Sequence, residues 1–404
     1  MGMNDTPSGE RLHIGFFGCR NAGKSSVVNA VTGQDLALVS DVAGTTTDPV
    51  SKAMELLPLG PVLVIDTPGV DDEGGLGKMR VERTKRVLEK TDCAVLIADA
   101  SRGLNASDRE LLQIFKERGI PYVIAMNKCD LTGVPQTASD KEIFVSAKTG
   151  ENIGALKDRI AAAAKRAESG RRLVGDLLEK GDIAVLVVPI DSAAPKGRLI
   201  LPQQQAIRDL LESGCIPMVC RESELELTLS ACAKKPAMVI TDSQAFKLVA
   251  EIVPQEIPLT SFSILMARYK GFLETAVKGV TALKDIRGGD KILISEGCTH
   301  HRQCGDIGTE KLPRWVRQYT GRDIRFAFTS GGEFPENFSP YALIIHCGAC
   351  MLGEREMQSR LRRAAEQCIP VTNYGIAIAQ IHSILDRALR PFSALHAEWE
   401  KQQQ

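Results

Sequence analysis

No run in this sequence is both apolar and long enough to cross a bilayer, so no membrane span is expected. Residues 1–11 are polar and lack the apolar stretch of a secretory signal, which leads us to expect a cytoplasmic protein. Neither sign of charge is in excess. Lys plus Arg and Asp plus Glu both number 50, which removes any global electrostatic reason for nonspecific nucleic-acid binding, and no nucleic-acid partner is expected. There is no fixed-period repeat and no low-complexity tract beyond the Gln402–Gln404 tail, so arrays and solenoids drop out. What remains is an ordinary globular composition over 404 residues, too many for one core. That length points to about two to three domains.

Eleven cysteines are many for a cytoplasmic chain, where disulfides are disfavoured and short cysteine motifs more often hold metal or do redox chemistry. Cys19, Cys93, Cys129, Cys215, Cys220, Cys232 and Cys368 are scattered, and are expected to pack as small thiols. Cys298, Cys304, Cys347 and Cys350 instead cluster among histidines in the last third.

From Leu12 to about Ala164 the apolar runs HIGFFG, VLVIDT, CAVLIADA, YVIAMNK and EIFVSA alternate with helix-like segments. This is the pattern of a parallel sheet covered on both faces. A second alternating region follows a linker around 168–181: IAVLVVPI, a helix after Pro202, IPMVC, a helix over 222–231, PAMVITD, a helix near 244–251, and IPLT. It carries no ionisable cluster with an obvious task, so scaffolding or oligomerisation is its expected use. The third region opens with a helix near 264–280 and continues through KILISEG, a helix after Pro313, IRFAFTS, YALIIHC and two amphipathic helices. The fold class is therefore α/β, with a P-loop nucleotide-binding domain over 1–167 followed by two smaller α/β domains over 182–262 and 263–404.

The segment Gly18-Cys19-Arg20-Asn21-Ala22-Gly23-Lys24-Ser25 matches G-x4-G-K-S between an apolar strand and a helical segment, the context that the phosphate loop requires. Its glycines let backbone N–H groups approach phosphates, Lys24 neutralises β and γ charge, Ser25 can ligate Mg2+, and Ser26 continues the first helical turn. Asp66-Thr67-Pro68-Gly69 ends the strand VLVI, which puts a carboxylate near the magnesium and the Gly69 N–H near the γ-phosphate. Asn127-Lys128-Cys129-Asp130 and Ser146-Ala147-Lys148 end the next two strands. An aspartate there accepts two hydrogen bonds from guanine N1 and N2, which adenine cannot donate. GTP and GDP are the expected ligands.

With these parts the chain resembles the translation-factor-like GTPases, particularly the tRNA-modification and ribosome-assembly branch. Gly44-Thr45-Thr46-Thr47-Asp48 is similar to its switch motif, although Thr47 stands where an arginine is common. The resemblance implies that Thr45 or Thr46 completes the magnesium shell and joins Lys24, Asp66 and Gly69 in catalysis. Val70 stands where Ras-like enzymes have the water-orienting glutamine, so slow hydrolysis is expected. In this branch an asparagine matched here by Asn21 helps bind K+, and potassium stimulation is implied.

Cys298-Thr299-His300 follows KILISEG, and His346-Cys347-Gly348-Ala349-Cys350 follows YALII. If those strands are parallel neighbours, their tips bring the two groups together. Three thiolates with one further ligand suit zinc or a 4Fe-4S cluster, and Cys347 with Cys350 could also work as a redox dithiol; spacing alone does not choose. C-x-H followed by H-C-x-x-C, behind a GTPase and an α/β domain, resembles the FeFe-hydrogenase maturation GTPases. That resemblance implies a 4Fe-4S cluster on Cys298, Cys347 and Cys350, with His300, His346 or a labile ligand at the fourth iron. It further implies a homodimer or higher homo-oligomer, with FeFe-hydrogenase and radical-SAM maturation enzymes as partners. The rival reading is a ribosome- or tRNA-associated GTPase with structural zinc, but no G-x-x-G RNA-binding loop follows the GTPase convincingly. His301, Cys304, Trp315 and Tyr319 are expected to be non-ligands, and His13, His382 and His396 ordinary satisfied or surface histidines.

Overall fold

Six of the seven residues of β1 (Leu12–Gly18) are buried, as a central parallel strand covered on both faces requires. The computed structural model describes residues 6–34, 50–67, 84, 86–132, 139–165, 170–190, 199–298 and 306–403. The chain separates into two compact units, Met1–Gly170 and Arg171–Gln404.

In the first unit, β1 leads to α1 (Lys24–Thr32), β2 (Val50–Leu56), β3 (Gly60–Asp66), β4 (Cys93–Asp99), α2 (Ala106–Glu117), β5 (Tyr122–Asn127), β6 (Glu142–Phe144) and α3 (Ile153–Lys165). The sheet order is β2-β3-β1-β4-β5-β6, parallel except for β2. Alternate strand residues face opposite sides. Ile14, Phe16, Val95 and Ile97 join the core under α1 and α3, while Phe17, Leu96 and Ala98 pack with Leu111 and Phe115 of α2. Double-sided burial makes these strands read as continuous apolar runs, which is why all five were visible in sequence. Strand β2 was not: its sequence VSKAMEL is polar, and it pairs antiparallel at the sheet's edge.

The second unit holds two four-stranded parallel sheets. The first comprises β7 (Ile183–Val187), α4 (Leu201–Glu212), β8 (Ile216–Cys220), α5 (Leu225–Ala231), β9 (Met238–Thr241), α6 (Phe246–Ile252) and β10 (Leu259–Ser261), in strand order β10-β9-β7-β8. The chain continues into α7 (Phe262–Tyr269), α8 (Leu273–Val280), β11 (Lys291–Glu296), α9 (Leu312–Thr320), β12 (Arg325–Ser330) and β13 (Leu343–His346). It ends with α10 (Glu354–Glu366), β14 (Val371–Asn373), α11 (Tyr374–Ile381), α12 (Leu385–Leu389) and α13 (Ser393–Gln403), the second sheet having the order β12-β11-β13-β14. One buried cluster runs through both sheets, from Leu173 and Val185 through Ile292, Leu293 and Ile294 and on to Trp399.

Two expectations are corrected here, and one strand was not anticipated. The single helix near 264–280 is two helices, because Gly271 turns the chain between α7 and α8 with φ +73°. The two closing amphipathic helices are four. Of these, α11 is buried at Tyr374 through Ala379 and so has no polar face to reveal its period. The three-residue strand β14 is too short to show alternation.

Candidate functional site

The chain leaves β1 at Gly18, where φ is +151° and a Cβ would lie 2.3 Å from the Ile97 carbonyl oxygen. At the other end of the loop Gly23, with φ +83°, forms the N-cap of α1, and a Cβ there would meet Asn127 Nδ2 at 2.3 Å. Asn21 is also left-handed at φ +64°. No side chain caps α1, so the N–H groups of its first turn, at Lys24, Ser25 and Ser26, are free of a side-chain cap and suited to anionic oxygen.

Asp66, at the tip of the neighbouring β3, faces this turn. Its Oδ1 lies 3.5 Å from Lys24 Nζ, and Ser25 Oγ donates to its Oδ2 at 3.3 Å. Burial pushes the Asp66 carboxyl up, against the opposing pull of Lys24. Oδ1 is buried, with the Lys24 ammonium as a neighbour but no close hydrogen bond. A desolvated carboxylate beside a serine hydroxyl and a phosphate loop fits a divalent cation. Thr67 anchors the chain beyond β3 by donating its hydroxyl to the Phe16 carbonyl at 2.7 Å.

The base side is built around Asn127, 2% exposed at the tip of β5. Its Nδ2 donates to the Ala22 carbonyl at 3.0 Å, and its Oδ1 accepts from the Ala147 N–H at 3.1 Å. The side chain thus clamps phosphate loop and base loop together. Lys128 Nζ donates to the Asn21 carbonyl at 2.7 Å and to Asp99 Oδ2 at 2.6 Å. Burial opposes ionisation of Asp99, but hydrogen bonds from Lys128 and Ser101 outweigh it and hold the carboxyl down at about 2. Asp99 escaped the sequence reading although it ends the strand CAVLIAD. Ser146 is buried and its Oγ accepts from the Thr149 N–H, whereas Asp130 and Lys148 are exposed at the rim. Thr45, Thr46 and Gly69, together with Val70, lie outside the described residues.

In the second unit β11 and β13 are parallel neighbours, with Ser295 opposite His346. As expected, this brings the tips that carry Cys298 and Cys347 together. The strand order reverses at β11, so both tips open onto the crevice where such sheets bind ligands. The Gly297 N–H donates to Cys347 Sγ at 3.1 Å and the Ala349 N–H to the same sulfur at 3.4 Å. Burial pushes the Cys347 thiol up although these bonds favour the thiolate; the Cys350 thiol is pushed up to about 12 by burial and by Cys347. Neutral, half-buried thiols, with N–H donors on Cys347, suit a cationic centre that would deprotonate them. His300, with His301 and Cys304, lies outside the described residues.

His346 is fully buried and both its ring nitrogens are engaged. Nδ1 lies 3.0 Å from the Cys347 carbonyl, and Nε2 lies 3.1 Å from Arg360 Nη1. Burial and the Arg360 charge hold its pKa down at about 3. The neutral ring therefore donates through Nδ1 and accepts through Nε2. Arg360, 3% exposed, is itself bound by Glu356 at 3.0 Å and by the Gly331 carbonyl at 2.7 Å, and stacks over Phe334. Glu356 and Arg360 were missed in sequence, where E-x3-R on a helix reads as an exposed pair.

Residues 173–271 match a family model described as "Hydrogen maturase F dimerization domain", and residues 274–391 one described as "Hydrogen maturase F tetramerization domain". The chain belongs to the hydrogen maturase F family. Residues 13–128 match "50S ribosome-binding GTPase", so the first unit contains a GTPase domain, for which guanine nucleotide and Mg2+ are the ligands. Among curated relatives, GTPase Der of Wolinella succinogenes is 33% identical over 174 residues, covering 39% of this chain and 36% of that protein. The tRNA modification GTPase MnmE of Chromobacterium violaceum is 34% identical over 156 residues, covering 37% and 34%. The chain thus spans about a third of the length of these curated relatives. A solved structure of a probable GTP-binding protein engB is 26% identical, covering 38% of this chain and 99% of that one, with a TM-score of 0.31. Among the described residues no helix is long and apolar enough to cross a membrane.

Proposed function

We propose that this hydrogenase maturation GTPase is a scaffold: it hydrolyses GTP in its first unit and, in its last domain, holds a 4Fe-4S cluster on which a di-iron precursor is assembled or from which it is delivered to FeFe-hydrogenase. The observation that carries the reading is the placing of Cys298, Cys347 and Cys350 at adjacent strand tips, with two backbone N–H groups donating to Cys347. Three thiolates with one further ligand can hold either a 4Fe-4S cluster or a zinc ion, and metal analysis distinguishes the two.

Within this reading the three thiolates hold the cluster, which when bound supplies an iron with an exchangeable position. His346 orients the Cys347 loop through its carbonyl and does not reach iron, because both ring nitrogens are already used. The fourth position falls to His300 or an exogenous ligand. Such a site releases cargo more readily than four thiolates would.

In the first unit, Ser25 and Asp66 with Thr45 or Thr46 hold Mg2+, which when bound neutralises charge on the β- and γ-phosphates. Lys24 and the N–H groups of Gly23 to Ser26 bind phosphate oxygen, Gly69 lies near the γ-phosphate, and Asp130 reads guanine. Asn21 contributes to a K+ site, and hydrolysis is slow. The protein works as a homo-oligomer in the cytoplasm with radical-SAM maturation enzymes and the hydrogenase. The exposed edge strand β8, with Ile216 50% and Val219 48% exposed, supports self-association.

The test is transfer: cluster-loaded protein is incubated with hydrogenase lacking its di-iron unit, with GTP or a non-hydrolysable analogue. Activation dependent on Cys298, Cys347 and Cys350 supports the scaffold. Equal activation by a triple Cys→Ser variant contradicts it.

A further inference from the structure

The last two helices bring together a second set of donors that neither the nucleotide nor the cluster reading uses. His396 and Glu400 stand four residues apart on α13, hence on one helical face, and Asp386 comes from α12. His396 Nε2 lies 2.9 Å from Asp386 Oδ1 and 3.9 Å from Glu400 Oε1, and all three donor atoms fall within 4.8 Å of one another. A tetrahedral ion with bonds of about 2.0–2.2 Å spaces its ligand atoms about 3.4 Å apart, and the two measured separations straddle that value.

Two further features mark a site rather than a chance ion pair. Asp386 and Glu400 line an open cleft of about 470 Å³ whose other walls include Tyr319, Gln380, Ser383 and Trp399, so two of the three donors border space open to solvent or a small ligand. Asp386 divides its oxygens: Oδ1 faces His396, while Oδ2 faces Arg390 Nη2 at 3.5 Å. An outer partner on the second oxygen is how ligating carboxylates are commonly oriented. The family match ends at residue 391, so His396 and Glu400 stand outside it.

We propose that Asp386, His396 and Glu400 form a divalent-metal site, zinc by its donor set of one imidazole and two carboxylates, with a fourth position open to the cleft. Two carboxylates and a neutral imidazole balance the dication, and the ion staples α12 to α13.

Cobalt(II) distinguishes this site from the thiols by spectrum. In the full-length chain carrying Cys298→Ser, Cys347→Ser and Cys350→Ser, one Co2+ per chain is expected to bind with weak visible bands and without thiolate-to-cobalt charge transfer, and Zn2+ should displace it. His396→Ala and Glu400→Gln should each weaken binding by more than the roughly 10–100-fold that loss of a ligand's outer partner costs. Zn2+ should raise the melting temperature of the parent and of neither variant. Glu400 is mostly exposed, so Glu400→Gln keeps the test informative should His396→Ala fail to fold. No Co2+ bound by the parent, or unchanged binding in Glu400→Gln, overturns the site and leaves a plain His396–Asp386 ion pair.

Discussion

The Gly297 N–H donates to the sulfur of Cys347 at 3.1 Å, tying the tip of β11 to the tip of β13. This contact needs a glycine, because a Cβ on Gly297 would lie 2.8 Å from Leu352 Cγ and 3.1 Å from its Cδ1. Gly297→Ala should displace Leu352 or the loop at a cost of about 1–3 kcal/mol, and lower the iron retained per chain after gel filtration. Adding Leu352→Ala makes room and should restore part of the loading. Iron retention in Gly297→Ala equal to that of the parent would detach this contact from cluster binding.

On the nucleotide side, Asn127 and Asp130 have separable tasks. Asp130 is exposed, and under the proposed role in reading guanine Asp130→Asn should leave the fold intact but exchange a double acceptor for an amide. Each hydrogen bond to a charged group is worth about 1.5–3 kcal/mol, so GTP affinity should fall roughly 10–150-fold while xanthosine triphosphate gains. Competition binding with GTP, XTP and ATP reads this directly, and unchanged preference for GTP would remove Asp130 from base recognition.

Gly23→Ala places a methyl group 2.3 Å from Asn127 Nδ2 at a φ of +83°. Both the strain and the clash fall on the clamp between the loops, so nucleotide binding should be lost at concentrations that saturate the parent. Circular dichroism should remain that of the parent. Retained GTP binding would show that the loop tolerates a different path from β1 to α1.

Potassium dependence follows from the reading of Asn21. Turnover in K+ should exceed turnover in Na+, and Asn21→Ala should abolish the difference. Steady-state phosphate release in the two salts checks this; equal rates in the parent contradict it.

The Asp99–Lys128 pair carries a pH signature. Because the folded carboxyl is held at about 2 against an ordinary value of 3.8, its contribution is complete above 3.8 and is lost as pH falls towards 2. Asp99→Asn should lower stability near neutrality and flatten that acid limb. A melting temperature that depends on pH identically in both proteins would exclude the pair as a stabilising element.

How much of this was legible in the sequence depended on burial. The central strands of the first sheet declared themselves because both faces are covered, and the phosphate loop because Gly18 and Gly23 can be no other residue. The parallel pairing of β11 with β13 could be anticipated from two apolar runs ending in cysteine motifs. The role of His346 could not: its ring belongs to a buried chain through Arg360 and Glu356, formed by a helix about ten residues further on, and a histidine beside two cysteines reads as a ligand. The donor set at His396 was passed over as a surface histidine, because Asp386 joins it only through the turn between two helices.

The most direct measurement is iron, acid-labile sulfide and zinc per chain after anaerobic purification and reconstitution, with electron paramagnetic resonance of the reduced protein. About four irons and four sulfides per chain are expected. The reduced-cluster signal should be lost in Cys298→Ser, Cys347→Ser and Cys350→Ser, and retained in His346→Ala with a spectrum that still changes on adding imidazole. Zinc bound by those cysteines in place of iron, or a signal that ignores added ligands and disappears with His346, would contradict the scaffold reading.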